Sequence, residues 1–240
     1  MASSVFKNYP NLTSEEFAEV CHYLDRRYCQ ATLGPVRRQW KLRVCTAFNT
    51  SFGLGSEYNT YLQVVRPLEN ELDDGDLSSC LEKFSFDPPP PSGTMDTEAD
   101  QDMIAAEEDE SALPRRPRPD NHAGYVTYEI HLHPTYQAPC LWFSLHDLAV
   151  DELAFSTDTV FRRLVPDQYK DGLRAAGGVG GISADYHPVT GVPSFFIHPC
   201  LLGDAMSRFD CSKETYLMVW LGLVGGCVGL WVPKEMALEP

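Results

Sequence analysis

The sequence predicts an α+β fold in which an antiparallel four-stranded sheet packs on helices. An amphipathic helical pattern opens the chain. Four later segments alternate apolar and polar residues with period two. A last uncharged helical stretch follows an irregular region. Strands that come in a run, with helices before and after, call for short antiparallel connections rather than the crossover helices of a parallel sheet.

The elements follow in order. Thr13-Ser14-Glu15-Glu16 is a capping box, with Thr13 as cap, Glu16 reaching back, and Leu12 and Phe17 as the accompanying hydrophobic staple. Phe17, Val20, Cys21, Leu24 and Tyr28 recur at helical spacing with Glu15, Glu19, Asp25 and Arg26 opposite, predicting a helix over residues 14 to 31 that ends before Gly34-Pro35. Trp40, Leu42, Val44, Thr46 and Phe48 alternate with Lys41, Arg43, Cys45 and Ala47, which is a half-buried strand. Gly53 and Gly55 mark a turn into a second strand, Tyr58 to Arg66. In the third strand Val126, Tyr128, Ile130 and Leu132 share one face, and Tyr125, Thr127, Glu129, His131 and His133 the other. Pro134 and Pro139 bracket a turn, and Cys140 to His146 form a fourth strand, apolar on both faces and so central or well covered. A short helix is expected at Thr159 to Leu164 and a loop at Gly172 to Gly181. A short apolar run, Ser194 to Ile197, leads into His198-Pro199-Cys200, and Glu214 to Leu223 is the last helix.

The chain has 240 residues, enough for one domain with a sizeable core, and a formal net charge of −15. The charge is local. Residues 69 to 110 hold fifteen acids and a single base, Lys83, while the remainder is close to neutral. No basic stripe is present to track a phosphate backbone or an anionic membrane, so nucleic acid is excluded as a partner. Residues 87 to 120 combine acids with Pro88 to Pro91, Pro114, Pro117 and Pro119, and lack aromatics. Such a composition cannot bury enough surface to offset chain entropy, and reads as a disordered acidic insert within a single domain spanning 1–240. It is either a solvated spacer or a docking arm for a basic patch.

No basic head and apolar run opens the chain, and the eight cysteines form no C-x-x-C pair. They read as reduced thiols in the cytoplasm, most of them small buried hydrophobes. Residues 215 to 233 carry no charge, which is long enough for a membrane span, but Gly222, Gly225, Gly226, Gly229 and Pro233 interrupt them. A buried helix followed by a short strand fits better, and no stable membrane insertion is expected.

Cys200 is the thiol of chemical interest. It follows His198-Pro199 where a strand ends and a loop begins, so it is held in place yet accessible, with an imidazole near enough to move or donate a proton. The plainer alternative is a buried small hydrophobe beside a surface histidine. His131 and His133 lie two apart on a strand. With His146, His187 or His198 they could hold zinc, but none of these has a recognisable spacing and no Cys forms a zinc-like pair. A polar sheet face is the simpler reading, and neither a metal nor a cofactor is predicted. The glycines of residues 175 to 181 lack the Lys-Ser or Lys-Thr of a phosphate loop, and no G-x-S-x-G supports a serine hydrolase. A papain-like protease needs a histidine far downstream of its cysteine, whereas every histidine here precedes Cys200.

Three stretches carry a resemblance as a set: YEIHLHPTYQAPCLWFSL at 128–145, DYHPVTGVPSFFIHPC at 185–200 and YLMVWLGLVGGCVGLWVP at 216–233. Together they resemble the autophagy-related protein ten family, divergent ubiquitin-conjugating-like enzymes, over about residues 125–233. The resemblance implies a divergent ubiquitin-conjugating-enzyme-like fold with a disordered acidic insert. It implies that Cys200 is the active-site thiol and that His198 orders the cysteine loop. It implies that an activating enzyme, autophagy-related protein seven, loads the modifier, protein twelve, onto Cys200 as a thioester. A lysine of the acceptor, protein five, then takes it. Tyr136, in the turn between the third and fourth strands, is implied as an acceptor-recognition or oxyanion residue, with Tyr128 as a second candidate.

One departure stands out. Ordinary ubiquitin-conjugating enzymes place an Asn shortly before the cysteine to support the oxyanion, and this chain has no Asn after Asn121. A backbone N–H, His198, Tyr136 or a further group must stand in for it. Two rivals remain. The sister family, autophagy-related protein three, transfers a modifier to phosphatidylethanolamine, but needs a membrane-sensing N-terminus where this chain has an acidic, capped helix. The other rival is a non-catalytic binding module of the same fold.

Overall fold

The helix signalled by Thr13 and Glu16 runs Ser14–Gln30 (α1) in the computed structural model, which describes residues 6–48, 58–68, 124–176 and 181–238. The Thr13 hydroxyl accepts the Glu16 amide at 3.2 Å and the Glu16 carboxylate accepts the Thr13 amide at 3.0 Å, so the capping box is complete. It contributes about 1 kcal/mol. Burial contributes more: Phe17, Val20, Cys21, Leu24 and Tyr28 all face the core, at about 1.5–3 kcal/mol for each large apolar side chain. A short helix, Val36–Gln39 (α2), leads into the sheet.

The strands are Lys41–Phe48 (β1), Tyr58–Pro67 (β2), Tyr125–His133 (β3), Ala138–His146 (β4), Ile182–Tyr186 (β5) and Pro193–Ile197 (β6). They form one sheet in the order β1-β2-β3-β4-β6-β5, every pair antiparallel. The register puts Leu62 opposite Ile130, Val64 opposite Tyr128 and Tyr128 opposite Phe143, so these side chains share the face on which α1 packs. β4 is buried on both faces and central, as its apolar run predicted.

The sheet thus has six strands among the described residues rather than the predicted four. β5 shows no alternation because Ala184, Asp185 and Tyr186 are exposed at the sheet edge, and β6 pairs with β4 through only Phe195–Ile197. Helices Thr157–Arg163 (α3) and Asp167–Ala176 (α4) connect β4 to β5. The first half of the predicted glycine loop is therefore helical. Tyr169 and Leu173, four apart, pack against the core and outweigh the cost of Gly172.

After β6 come a 3-10 turn, Pro199–Leu201, and helix Leu202–Met206 (α5). The uncharged stretch forms helix Tyr216–Val224 (α6), a 3-10 helix at Gly225–Val228, and extended chain before Lys234–Ala237 (α7). The expected strand after the glycine pair is absent. The chain instead turns back on itself, with the Leu230 amide donating to the Gly225 carbonyl at 2.8 Å. A Cβ at Gly225 would stand 2.3 Å from the Leu230 carbonyl oxygen, which is why glycine is needed there. Tyr216, Leu217, Trp220 and Leu221 of α6 are buried, and no described helix is long and apolar enough to cross a membrane.

The chain divides into two units, residues 1–68 with 122–240, and 69–121. The elements above belong to the first. The second, which holds the predicted insert at 87–120, lies outside the described residues, as does the predicted Gly53-Gly55 turn.

Candidate active site

Cys200 sits in the single 3-10 turn between β6 and α5 and is half-buried. His198 caps that turn: its ring Nδ1 accepts the Cys200 amide at 3.2 Å, and its own amide donates to the Gly181 carbonyl at 3.3 Å. Pro199 between them is buried and has no amide to satisfy. The approach to the thiol is therefore fixed by backbone bonds.

A neutral imidazole has one donor and one acceptor nitrogen. With Nδ1 accepting from Cys200, the proton of neutral His198 sits on Nε2. His198 then offers an N–H to the site, and it cannot take the Cys200 thiol proton through Nδ1 while the cap holds.

The same device recurs at the other two His-Pro pairs. His133 Nδ1 accepts the amides of Thr135 and Tyr136 at 3.2 and 3.3 Å, and His187 Nδ1 accepts those of Val189 and Thr190, both at 3.3 Å. At His133 the cap secures the β3–β4 turn that carries Tyr136. The turn closes through the Gln137 amide on the His133 carbonyl at 2.8 Å, with Gln137 in the left-handed region at φ 48°. Tyr136 is 40% exposed, and its ring meets the His198 ring edge-on, 5.4 Å between centroids, with the His133 ring 4.8 Å away. Burial, and then the nearby His198, hold the His133 imidazole below its ordinary pKa. The structure thus brings Tyr136 against His198, and His198 onto Cys200.

Tyr128 is not brought to this group. It is fully buried on the core face of β3, where its hydroxyl donates to the Val228 carbonyl at 2.6 Å. Burial pushes its phenol up, so it keeps its proton. Its place follows from strand alternation: Val126 and Ile130 share its face.

His131 and His133 do not act as a metal pair, because they do different work. His131 instead joins Glu129 and His187 on the open face of the sheet, each imidazole Nε2 lying 2.9 Å from the same Glu129 oxygen. The Gln63 amide donates to the other carboxylate oxygen at 2.7 Å. Burial raises the Glu129 pKa, but the bonds from His131, His187 and Gln63 outweigh it and hold the carboxyl well below the usual range. The three groups have a metal-like spacing, yet the two backbone amides on His187 Nδ1 place its proton on Nε2. That nitrogen is a donor to Glu129, not a lone pair for an ion. A cavity of about 600 Å³ on this face is lined by Arg43, Glu129, Trp142, Phe155 and His187, and Cys200 takes no part in it.

The other thiols are spread through the fold. Cys21 and Cys140 are buried, and burial pushes the Cys140 thiol up to about 12 and Cys227 up to about 11. Cys29 is exposed, and Cys45 and Cys211 are half-buried, so fewer than expected are core residues. The seven cysteines among the described residues are all free thiols.

The recurrence of His-Pro was visible in the sequence. Its consequence, a shared tautomer, required the backbone geometry.

Comparison with known proteins bears on what this arrangement serves. The family model described as "Autophagocytosis associated protein, active-site domain" matches residues 16–235. The chain is 62% identical to the ubiquitin-like-conjugating enzyme ATG10 of Gibberella zeae over 235 residues, 97% of this chain and 99% of that protein. It is 30% identical to the ubiquitin-like-conjugating enzyme ATG10 of Arabidopsis thaliana over 129 residues, 50% of this chain and 56% of that protein. With the family model spanning nearly the whole chain and one relative matched end to end, the protein belongs to the ATG10 family of ubiquitin-like-conjugating enzymes, transferases of autophagy.

Proposed function

We propose that Cys200 is the thiol on which this enzyme carries its ubiquitin-like modifier, autophagy-related protein twelve, on the way to a lysine of protein five. The observation that carries this is the fixed Cys200 turn, with its amide held by His198 and the Tyr136 ring against that histidine. In the first step the Cys200 sulfur attacks the modifier's C-terminal carbonyl, held as a thioester by the activating enzyme, protein seven. The activating enzyme's thiolate leaves. In the second step the lysine amine attacks the same carbonyl, Cys200 leaves as thiolate, and the amine gives up one proton, leaving an isopeptide bond. Each attack builds negative charge on the carbonyl oxygen. The Nε2–H of His198 and the hydroxyl of Tyr136 are donors suited to it, in place of the missing Asn. The reaction is assigned to the cytoplasm, in a single conjugating domain with an acidic spacer at residues 87–120.

The test supplies activating enzyme, modifier and ATP. Wild type is expected to form a reductant-sensitive adduct, Cys200→Ser a longer-lived oxyester, and Cys200→Ala none. Absence of both adducts, or wild-type conjugation by Cys200→Ala, would overturn the proposal. Transfer to liposomes in place of the protein acceptor would point to the lipid-conjugating chemistry instead.

A further inference from the structure

The seven residues before the α1 cap form a strap, Phe6–Leu12, that bonds to both walls of the site. On one side the Tyr9 hydroxyl lies 2.6 Å from the Met206 carbonyl and 2.5 Å from that of Phe209, and shares its single proton between them. The Met206 carbonyl ends α5, the helix that begins two residues after Cys200, and also accepts the Phe209 amide at 3.0 Å; Phe209 lies three residues beyond the helix. On the other side the Leu12 amide donates to the Gln137 carbonyl at 2.7 Å. Gln137 follows Tyr136 and is in the left-handed region, so this bond sets the direction of a carbonyl in the same turn.

The strap is itself secured. The Phe6 ring packs 5.3 Å from Tyr9 and 5.4 Å from Tyr216. The Tyr216 hydroxyl donates to the Pro10 carbonyl at 2.7 Å, and the Lys7 amide to Glu16 at 2.8 Å. Leu12 is buried in the core, and burial together with the adjacent Cys211 keeps the Tyr9 phenol protonated. One short, anchored segment thus holds the helix behind Cys200 and the turn that carries Tyr136.

We propose that this strap is a positioning element. The Tyr9 hydroxyl and the Leu12 amide set the spacing between Cys200 and Tyr136, and with it the rate at which a thioester on Cys200 passes to an amine. The rate statement rests on the thioester chemistry proposed above; the spacing statement does not. A bond of this kind matters because small displacements of reacting groups cost large factors in rate.

Tyr9→Phe removes the hydroxyl and keeps the ring packing, so the chain is expected to fold. Two readouts decide. The first is single-turnover discharge of preloaded thioester at saturating acceptor. It is expected to fall about tenfold, with acceptor KM and the loading rate within about twofold of wild type. The second is the nuclear Overhauser contact between the Tyr136 and His198 rings, which is expected to weaken and which needs no modifier. Cys211→Ala removes the thiol beside the same hydroxyl and leaves both carbonyl bonds; it is expected to behave as wild type. If it does not, the effect belongs to local packing and the proposal falls. Discharge within twofold of wild type, or slowed discharge with the ring contact intact, would also overturn it. If wild type forms no thioester, the conjugation reading fails separately, and the ring contact alone decides the strap. Should Tyr9→Phe not fold, Tyr9→His keeps a ring without the para hydroxyl and is read by the same two measurements.

Discussion

Replacing Tyr128 by Phe removes one oxygen from the core and leaves every carbon of the ring. The lost group donates to the Val228 carbonyl at 2.6 Å, in surroundings where Tyr128 is fully buried and Val228 equally so. Water cannot take the place of the hydroxyl, so the carbonyl is left without a donor. A neutral hydrogen bond is worth about 1 kcal/mol net, and an orphaned buried acceptor raises the loss to about 1–3 kcal/mol. For a chain of this size that is about 2–12 °C in Tm. The assay pairs thermal unfolding with single-turnover discharge per folded molecule. Tyr128→Phe is expected to lower Tm and leave discharge within about twofold. Tyr136→Phe, at an exposed ring against His198, is expected to do the reverse: Tm within about 1 °C and slower discharge. An unchanged Tm for Tyr128→Phe with impaired discharge would show that Tyr128 serves the reaction, and would refute its assignment to the core.

Acidification should destabilise the fold. His131, His133 and His146 are all held below the ordinary imidazole pKa, in each case first by burial, so the folded chain binds fewer protons than the unfolded one just below about pH 6.5. Stability then rises with pH, and Tm is expected to drop between about pH 7.5 and 5.5; a flat profile would contradict the burial of these rings. Glu129, with a lowered pKa, adds stability that is present above the usual carboxylate value and lost further into acid. Gly225→Ala drives a Cβ into the Leu230 carbonyl and should cost about 3 kcal/mol, whereas Gly222→Ala in α6 meets nothing within 4 Å and should be neutral or stabilising; denaturant titration of the pair checks both signs. Zinc at about 100 μM is expected to leave Tm within about 1 °C, since His187 Nε2 carries a proton, and a clear rise lost in His187→Ala would overturn that tautomer.

The sequence read well wherever a local rule controlled the outcome. The capping box at Thr13 and Glu16, the stripe from Phe17 to Tyr28 and the alternation in β1 to β4 depend on neighbours a few residues apart. The missed strand β5, and the joining of the short apolar strand before Cys200 to the sheet as β6, depend on partners far along the chain. Phe195–Ile197 becomes a strand because β4 offers it a ladder, and the exposed Ala184–Tyr186 because β6 does. The strand expected after the glycine pair failed for the converse reason: a close approach of Gly225 to Leu230 redirects the backbone.

The site divides along the same line. Sequence alone singled out Cys200 after His198-Pro199, a short contiguous motif, while Tyr136 in its proline-bracketed turn came only from the family resemblance. Only the tertiary structure placed the Tyr136 ring on His198, took Tyr128 into the core and gathered Glu129, His131 and His187. It also set the proton of His198 on Nε2 and tied both walls of the site to Phe6–Leu12. Caps and periodicity are properties of adjacent residues, whereas a tautomer, a ring contact or a buried hydroxyl is settled by groups that the chain brings together only when it folds.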